Sequence, residues 1–228
     1  MPAHTASSSI EIPNQVFIGL PWRNFKKRYD GVIDGLHRGY PIYFTIVGRD
    51  ERQDARDLFG LIKERIDSSS YAIFDATGGN ANVSLEYGYA EGRNIDRAIY
   101  VCTHGAHANK SSGAMIADLA GSKRNQYTND SALRTLLERV ITSRDYYIRF
   151  ERALAKANMR ATKGQKKSRR NAWLKGIRAL DNCQPRRRVD LVNDLSTTIY
   201  DPESALRELH KAKLIAVSVG RYSDVRII

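Results

Sequence analysis

Residues 71–92, YAIFDATGGNANVSLEYGYAEG, join an apolar strand to a turn and then to the start of a helix. Tyr71 to Asp75 is typical of a strand end, and the run Thr77-Gly78-Gly79-Asn80 is too rich in turn formers to continue that strand. From Asn82 onward the apolar residues recur at helical spacing, which puts Glu86 on the first or second turn of a helix. Ligands of open α/β sheets bind at this edge, beyond the carboxyl ends of the strands. The stretch therefore predicts a ligand site that contains one carboxylate.

The same alternation of strand and helix runs through the first 145 residues. Apolar runs predict strands near 16–20, 42–47, 71–75, 98–102 and 125–127, with helices at 25–38, 55–66, from 82 onward and at 131–144. Strands that alternate with helices pair in parallel. We therefore predict an α/β fold, a doubly wound parallel five-stranded sheet over residues 15–145, after a flexible leader at 1–14.

The rest of the chain has a different pattern. Residues 146–168 are predicted to form a connecting helix and a basic linker, and the run at 163–170 is either a solvated linker or a phosphate-contacting arm. Residues 169–228 show three helical patterns, the third opened by Asp201-Pro202-Glu203, followed by two strands around a glycine turn. This order predicts a winged helix-turn-helix domain that binds nucleic acid or a partner.

Charge separates the two parts. Of the 37 basic and 25 acidic side chains, 19 and 17 lie in residues 1–150, against 18 and 8 in residues 151–228. The basic rear part indicates a polyanionic partner. No membrane-spanning run or signal peptide is recognisable, so a cytoplasmic location and no membrane partner are expected. Cys102 and Cys183, and the pair His104 and His107, offer no metal-site spacing, so we expect no metal and no cofactor.

Several short motifs of the front domain resemble a known group. The segments VFIGLP (16–21), FDATG (74–78) and NVSLEYGYA (82–90), and more weakly ADLAG (117–121), look like those of the nucleoside 2-deoxyribosyltransferase-like families and the related bacterial TIR-like proteins. In those families the acid of the E-x-G-Y-A stretch, which corresponds to residues 86–90 here, cleaves an N-glycosidic bond. The resemblance implies that Glu86 is the catalytic residue and that NAD or a nucleotide is the substrate. A carboxylate suits this chemistry because it can stabilise or capture the positively charged sugar.

Other residues near this edge are candidates for substrate binding, each with an alternative role. Asp75 would bond a sugar hydroxyl or the base, or fix its own turn; Asn82 would orient the ligand or cap the helix. Trp22 would stack on a base or anchor its loop, and Arg23 would suit a phosphate. Backbone N–H groups of the 77–82 turn would cradle a phosphate. The predicted substrate-binding set is Leu20, Trp22, Arg23, Asp75, Gly78, Gly79 and Asn82.

Basic side chains of the rear domain form the second predicted set. They flank its first two helices, lie on the third and reach the wing, and their alternative role is a solvated face of a protein-contact module. The predicted nucleic-acid-binding residues are Lys166, Lys167, Arg169, Arg170, Arg186, Arg187, Arg188, Arg207, Lys211 and Arg221.

The combination of the two domains resembles the effector proteins of bacterial retron anti-phage systems. That resemblance implies a toxin-like N-glycosidase or glycosyl transferase that is tethered to DNA or RNA-linked DNA in a complex with a reverse transcriptase. A homo-oligomer is also expected. Two alternatives stay open at this point: a nucleotide-sensing, DNA-binding transcription regulator, and a salvage nucleoside deoxyribosyltransferase.

Overall fold

The structure is a computed structural model that describes residues 11–48, 58–104, 124–180, 185–218 and 223–228. Two compact units can be distinguished. The described residues up to Lys26 and from Thr45 to Asn129 form the first unit, and those from Lys27 to Phe44 and from Asp130 onward form the second. The domain bounds inferred from sequence stay a prediction.

A five-stranded sheet organises the first half of the chain. In chain order its elements and the intervening helices are β1 (Ile12–Gly19), α1 (Trp22–His37), β2 (Tyr43–Thr45), α2 (Leu58–Asp67), β3 (Ser69–Asp75), α3 (Ala81–Gly92), β4 (Arg97–Cys102) and β5 (Arg124–Tyr127). The strands lie in the order β2-β1-β3-β4-β5, with parallel pairing along β1, β3, β4 and β5. The prediction of an α/β fold with a parallel five-stranded sheet is confirmed.

Apolar side chains from the strands and from α2 and α3 form the core of the first unit. Phe74 is its centre, with the Phe17 ring 5.9 Å away and the Tyr87 ring 5.5 Å away in an edge-to-face arrangement. Ile66, Val83, Ala90 and Ile99 complete the buried cluster. Burial of this kind contributes about 25 cal/mol per Å² of apolar surface. It fixes α3, and with it Glu86, against the end of the sheet.

The first strand begins earlier than the sequence predicts. Ile12 to Asn14 were assigned to the flexible leader, but they belong to β1, where the Ile12 N–H donates to the Ser68 carbonyl at 2.8 Å. Gln15 is fully buried, and its amide donates to the Ser68 and Ser69 hydroxyls. Hydrogen bonding of buried polar groups, which no apolar pattern reveals, explains the extension.

The second half of the chain is mostly helical. It contains α4 (Asp130–Ser143), α5 (Asp145–Ala157), α6 (Lys163–Arg178), β6 (Arg186–Arg187), α7 (Arg188–Ser196), α8 (Pro202–Lys211), β7 (Ile215–Val217) and β8 (Asp224–Ile227). The last three strands form an antiparallel sheet in the order β6-β8-β7. The predicted cap of α8 is confirmed, because the Asp201 carboxylate accepts the Ser204 N–H at 2.9 Å. Strand β6 has no counterpart in the sequence prediction.

The helix predicted for the connecting region is confirmed as α5, but the linker predicted after it is wrong. The basic run at 163–170 is not a linker but the first half of α6, because Thr162 and Gln165 form a reciprocal capping box at its start. Nor is α5 a mere connection: Phe150 packs edge-to-face on Trp173 at 5.9 Å, and the Tyr146 hydroxyl donates to the Leu214 carbonyl at 3.1 Å. Both helices thus belong to the core of the second unit. None of the helices in the described ranges is long and apolar enough to cross a membrane.

Candidate active site

A cavity of about 500 Å³ opens in the first unit beyond the ends of β1 and β2. Its wall combines the end of β1 and the loop after it, the loop after β2, one face of α2 and the start of α3. The lining is mainly apolar: Phe17, Ile18, Gly19, Leu20, Trp22, Ile46, Val47, Gly48, Leu58, Leu61, Ile62, Asn80, Asn82 and Glu86. Among these residues Glu86 carries the only charge.

The turn before α3 positions this carboxylate. Gly78 and Gly79 adopt positive φ angles of 75° and 65°, which side chains other than glycine rarely tolerate. Asn80 then caps the helix, its side-chain oxygen accepting the N–H groups of Asn82 at 2.9 Å and Val83 at 3.3 Å. A cap of this kind stabilises a helix by about 1 kcal/mol. The turn therefore starts α3 at a fixed point and brings Glu86, on its second turn, to the cavity.

Glu86 itself is in an unusual environment for a carboxylate. Its Oε2 atom is buried and has no hydrogen-bond partner within the described parts of the chain. Desolvation raises the pKa of Glu86 to about 7. Burial of an unpartnered carboxylate costs stability. Such a group is a candidate for chemistry, because a strongly perturbed carboxyl in a cavity is rarely retained for packing alone.

Asp75 has a different environment at the end of β3. One of its oxygens accepts the Thr77 N–H at 3.0 Å and the Thr77 hydroxyl at 2.5 Å, and the other accepts the Tyr127 hydroxyl at 2.5 Å. Thr77 in turn accepts the Cys102 N–H at 2.7 Å. Asp75 is fully buried and does not line the cavity. Its contacts tie the 75–77 turn to β4 and β5. Of the two roles that the sequence left open for Asp75, these contacts correspond to fixing its own turn.

The structure brings together part of the predicted substrate-binding set. Leu20, Trp22 and Asn82 line the cavity with Glu86, whereas Arg23, Asp75, Gly78 and Gly79 do not. Asn82 is not the helix cap, since Asn80 has that position. Three N–H groups of the 77–82 turn already donate within the protein, which reduces the donors left for a phosphate; they belong to Thr77, Gly79 and Asn82.

Trp22 forms one wall of the cavity and is 36% exposed. Its ring lies against Gly48, where a Cβ atom would be 3.2 Å from the ring carbon Cη2, and Gly48 has a positive φ of 86°. The Lys26 ammonium lies 5.1 Å from the ring centre on the same tryptophan. The indole thus contacts the loop after β2 and a lysine of its own helix α1, and it still reaches the cavity.

Several cavity residues were missed by sequence reasoning. Leu58, Leu61 and Ile62 have the spacing of an ordinary buried helix face, so their role as a cavity wall depends on tertiary structure. Gly19 and Gly48 were not assigned a role, although a glycine at the end of a strand, as Gly19 is in β1, is a recognisable sign of a close approach.

Metal-ligating side chains are not clustered in the regions that the structure describes. No group of three or more His, Cys, Asp or Glu residues there could hold a metal ion. His107 and Cys183 lie outside those regions, and Cys102 is buried, with its thiol donating to the His104 carbonyl at 3.5 Å.

Four arginines of the predicted nucleic-acid-binding set form ion pairs within the second unit. Arg169 contacts Glu208 at 3.2 Å, and Glu208 also accepts the Trp173 indole N–H at 2.8 Å, which joins α6 to α8. Arg170 contacts Glu151 at 2.8 Å. Arg186 pairs with Asp194, and Arg188 pairs with Glu203. These arginines have structural partners, which a phosphate would have to replace.

The other members of that set are exposed where they are described: Lys166, Lys167, Arg187, Arg207 and Lys211. Lys166 and Lys167 lie on the first two turns of α6, and Arg207 and Lys211 lie one helical turn apart on α8. Arg221 is outside the described residues. Arg207 and Lys211 therefore form a short basic face on α8.

Comparison with known proteins adds little to this geometry. No family model matches the chain, and no curated protein matches it. Among solved structures, a 2-desoxiribosyltransferase from Leishmania mexicana is similar over 39% of this chain and 65% of its own length, with 17% identity and a TM-score of 0.34. The chain thus spans just under two thirds of that protein. Values this low do not assign the chain to a family.

Proposed function

We propose that this protein is an N-glycosidase or glycosyl transferase that uses Glu86 to cleave the N-glycosidic bond of NAD or a nucleotide. The observation that carries the proposal is the Glu86 carboxyl, whose buried Oε2 has no hydrogen-bond partner in the described structure and lies in a mainly apolar cavity. An unpartnered carboxylate in such a place is suited to a substrate that develops positive charge.

The reaction follows from the charge that forms on the sugar. As the bond between C1′ and the base nitrogen breaks, its electron pair leaves with the base, and the sugar becomes oxocarbenium-like. The ionised Glu86 stabilises this cation or bonds to C1′. If water then adds to C1′ and loses a proton, the reaction is a hydrolysis. If another acceptor adds to C1′, the reaction is a glycosyl transfer. A pyridinium base such as nicotinamide leaves neutral, whereas a neutral nucleobase must take up a proton.

The protonation state of Glu86 decides whether its carboxyl group can act as a nucleophile. A pKa of about 7 leaves the acid and the carboxylate both populated at neutral pH. Only the ionised form is a nucleophile, so base release rises with pH through this pKa when the leaving group is a pyridinium. The apolar wall lowers the local polarity, which strengthens the electrostatic interaction between the carboxylate and the developing cation.

The cavity is suited to the sugar and base rather than to the phosphates. None of its described lining residues is basic, and their polar side chains besides Glu86 and the Trp22 indole are the amides of Asn80 and Asn82. The Asn80 oxygen is already engaged in the helix cap. Trp22 provides a flat surface for a base, while the phosphates of a nucleotide would extend towards solvent.

For the second unit we propose a nucleic-acid tether of the winged helix-turn-helix type. Support comes from the order of three helices, α6, α7 and α8, combined with the antiparallel β6-β8-β7 sheet, and from the exposed basic pair Arg207 and Lys211 on α8. In this proposal the tether holds a toxin-like enzyme on DNA or RNA-linked DNA in anti-phage defence. A reverse transcriptase in the same complex and a homo-oligomer belong to the same proposal.

The test is base release from a defined set of compounds. Wild-type protein, Glu86→Gln and Glu91→Gln are incubated with NAD, nucleotides and nucleosides, with and without DNA, and the products are separated by chromatography. Glu91 is the matched control because it lies on the same helix but is exposed and paired with Arg97 at 2.8 Å. We expect release by the wild type and by Glu91→Gln, and its loss in Glu86→Gln. Binding without release would instead indicate the nucleotide-sensing regulator.

A further inference from the structure

The end of β1 makes an unusually close approach to the Glu86 carboxylate. A Cβ atom at position 19 would lie 2.3 Å from Glu86 Oε2, far inside van der Waals contact. The Phe74 ring is also close, with its Cδ1 atom 2.9 Å from the same Cβ position. Gly19 and Phe74 are direct neighbours on the paired strands β1 and β3. The carboxylate therefore occupies the space in which any side chain at position 19 would begin.

Space, not backbone conformation, is what requires glycine here. Gly19 does not have the positive φ found at Gly48 and Gly78, so an alanine could adopt its backbone. On the other side, Phe74 is held by Phe17 and Tyr87 in the core and cannot easily move away. A methyl group at position 19 would thus push against one atom that can move, Glu86 Oε2, and one ring that is fixed.

We infer that Gly19 is the positioning residue for Glu86: its missing side chain leaves the room that holds the carboxylate deep in the cavity, against the end of the sheet. The catalytic consequence of this inference rests on the proposed function, whereas the placement of the carboxylate can be tested without any substrate. Glu86 Oε2 accepts no hydrogen bond from the described residues, so among them only packing holds this atom in place.

Placement and desolvation are linked in this arrangement. The carboxylate is desolvated because it lies against the apolar lining of the cavity. The described lining holds no other titratable side chain that could shift the pKa of Glu86. Gly19→Ala would move the carboxylate outwards, towards solvent. We expect the pKa of Glu86 to fall from about 7 towards the ordinary value of a glutamate.

The first experiment is an NMR titration of the glutamate side-chain carboxyl carbons in wild type, Gly19→Ala and Gly88→Ala, with Glu86→Gln used to assign the signal. Gly88 is the matched control because it lies on α3 with Glu86 and a Cβ there meets no atom within 4 Å. We expect a lower pKa in Gly19→Ala and an unchanged one in Gly88→Ala. An unchanged pKa in Gly19→Ala would overturn the inference, even if the protein proves to cleave no glycoside.

The second experiment separates the carboxylate from the Phe74 ring. The unfolding penalty of Gly19→Ala is measured in the wild-type background and in Glu86→Ala, which removes the carboxylate but leaves the ring. A smaller penalty in the Glu86→Ala background supports the inference. Equal penalties, or failure to fold in both backgrounds, would assign the need for glycine to Phe74 and overturn it.

Catalysis provides the third measurement where the proposed activity is found. A displacement of about 1 Å can reduce kcat by about 100-fold. We expect a kcat loss of about this size in Gly19→Ala, with the acidic limb of the pH profile moved to lower pH and KM little changed. Failure of the wild type to release a base would refute the proposed function and leave the titration as the test of Gly19.

Discussion

Replacement of Glu86 by glutamine should stabilise the protein, and the gain should depend on pH. Burial without a hydrogen-bond partner raises the pKa of the folded Glu86 from its ordinary value of 4.5 to about 7. In the unfolded chain the carboxyl ionises near the ordinary value. Between these two pH values the unfolded state has lost the proton while the folded state keeps it, so stability falls as pH rises.

The magnitude follows from the difference between the two pKa values. Since a tenfold change in an equilibrium constant is about 1.4 kcal/mol, the rise from 4.5 to about 7 corresponds to about 3 kcal/mol. Glu86→Gln has a similar shape and no charge. The variant should match the wild type near pH 4 and exceed it by about 3 kcal/mol at pH 8.

Urea unfolding followed by circular dichroism at a series of pH values measures this difference. Subtraction of the wild-type curve from the variant curve cancels the other titrating groups, which both proteins share. Glu91→Gln is the control, because Glu91 is exposed and its ion pair with Arg97 is at the surface; it should not gain stability as pH rises. A difference between Glu86→Gln and wild type that is constant from pH 4 to pH 8 would refute the reasoning.

Three further predictions concern other parts of the molecule. Tyr127→Phe removes the 2.5 Å hydrogen bond to the buried Asp75 and should reduce the free energy of unfolding by about 1–3 kcal/mol in the same urea assay; no loss would contradict a structural role of this bond. Thr162→Ala removes the cap of α6 and should cost about 1 kcal/mol, measured by thermal unfolding; an unchanged midpoint would contradict the helix start at Lys163. Joint replacement of Arg207 and Lys211 by alanine should weaken DNA binding and reduce its salt dependence in fluorescence anisotropy; unaltered binding would remove α8 from the interface.

Much of the sheet could be predicted from the sequence because its strands are short apolar runs between turn formers. The segment Phe74 to Asn80 shows this well, since its apolar end lies in β3 and its glycines form the predicted turn, although the helix cap is Asn80 and not Asn82. Glu86 was singled out as a candidate catalytic residue by the same local reasoning and by the resemblance of residues 82–90 to a motif of a known family. Both inferences use residues that are close in sequence.

Features that depend on distant parts of the chain could not be predicted in this way. The buried cluster of Gln15 with Ser68 and Ser69 extends β1 through side-chain bonds across more than fifty residues. The contact of Gly19 with Glu86 joins two elements that only the fold brings together. A hydrophobic pattern carries no information on such contacts.

The charge pattern shows the same limit in the second unit. A net excess of basic residues indicated a polyanionic partner, but sequence does not show which arginines have acidic neighbours. Arg169 and Arg188 are paired with Glu208 and Glu203, whereas Arg207 is exposed. Pairing between helices therefore decides which part of the basic surface is available to a partner.

The central claim is that the Glu86 carboxylate cleaves an N-glycosidic bond, and base release by matched variants tests it most directly. The measurement is the rate of free base formation from NAD and from nucleotides by wild type, Glu86→Gln and Glu91→Gln, after circular dichroism has shown that all three are folded. We predict release by the wild type and Glu91→Gln, and a rate lower by about a thousandfold or more in Glu86→Gln, in line with loss of a catalytic group. Equal rates in wild type and Glu86→Gln, or no release by any of the three, would contradict the claim.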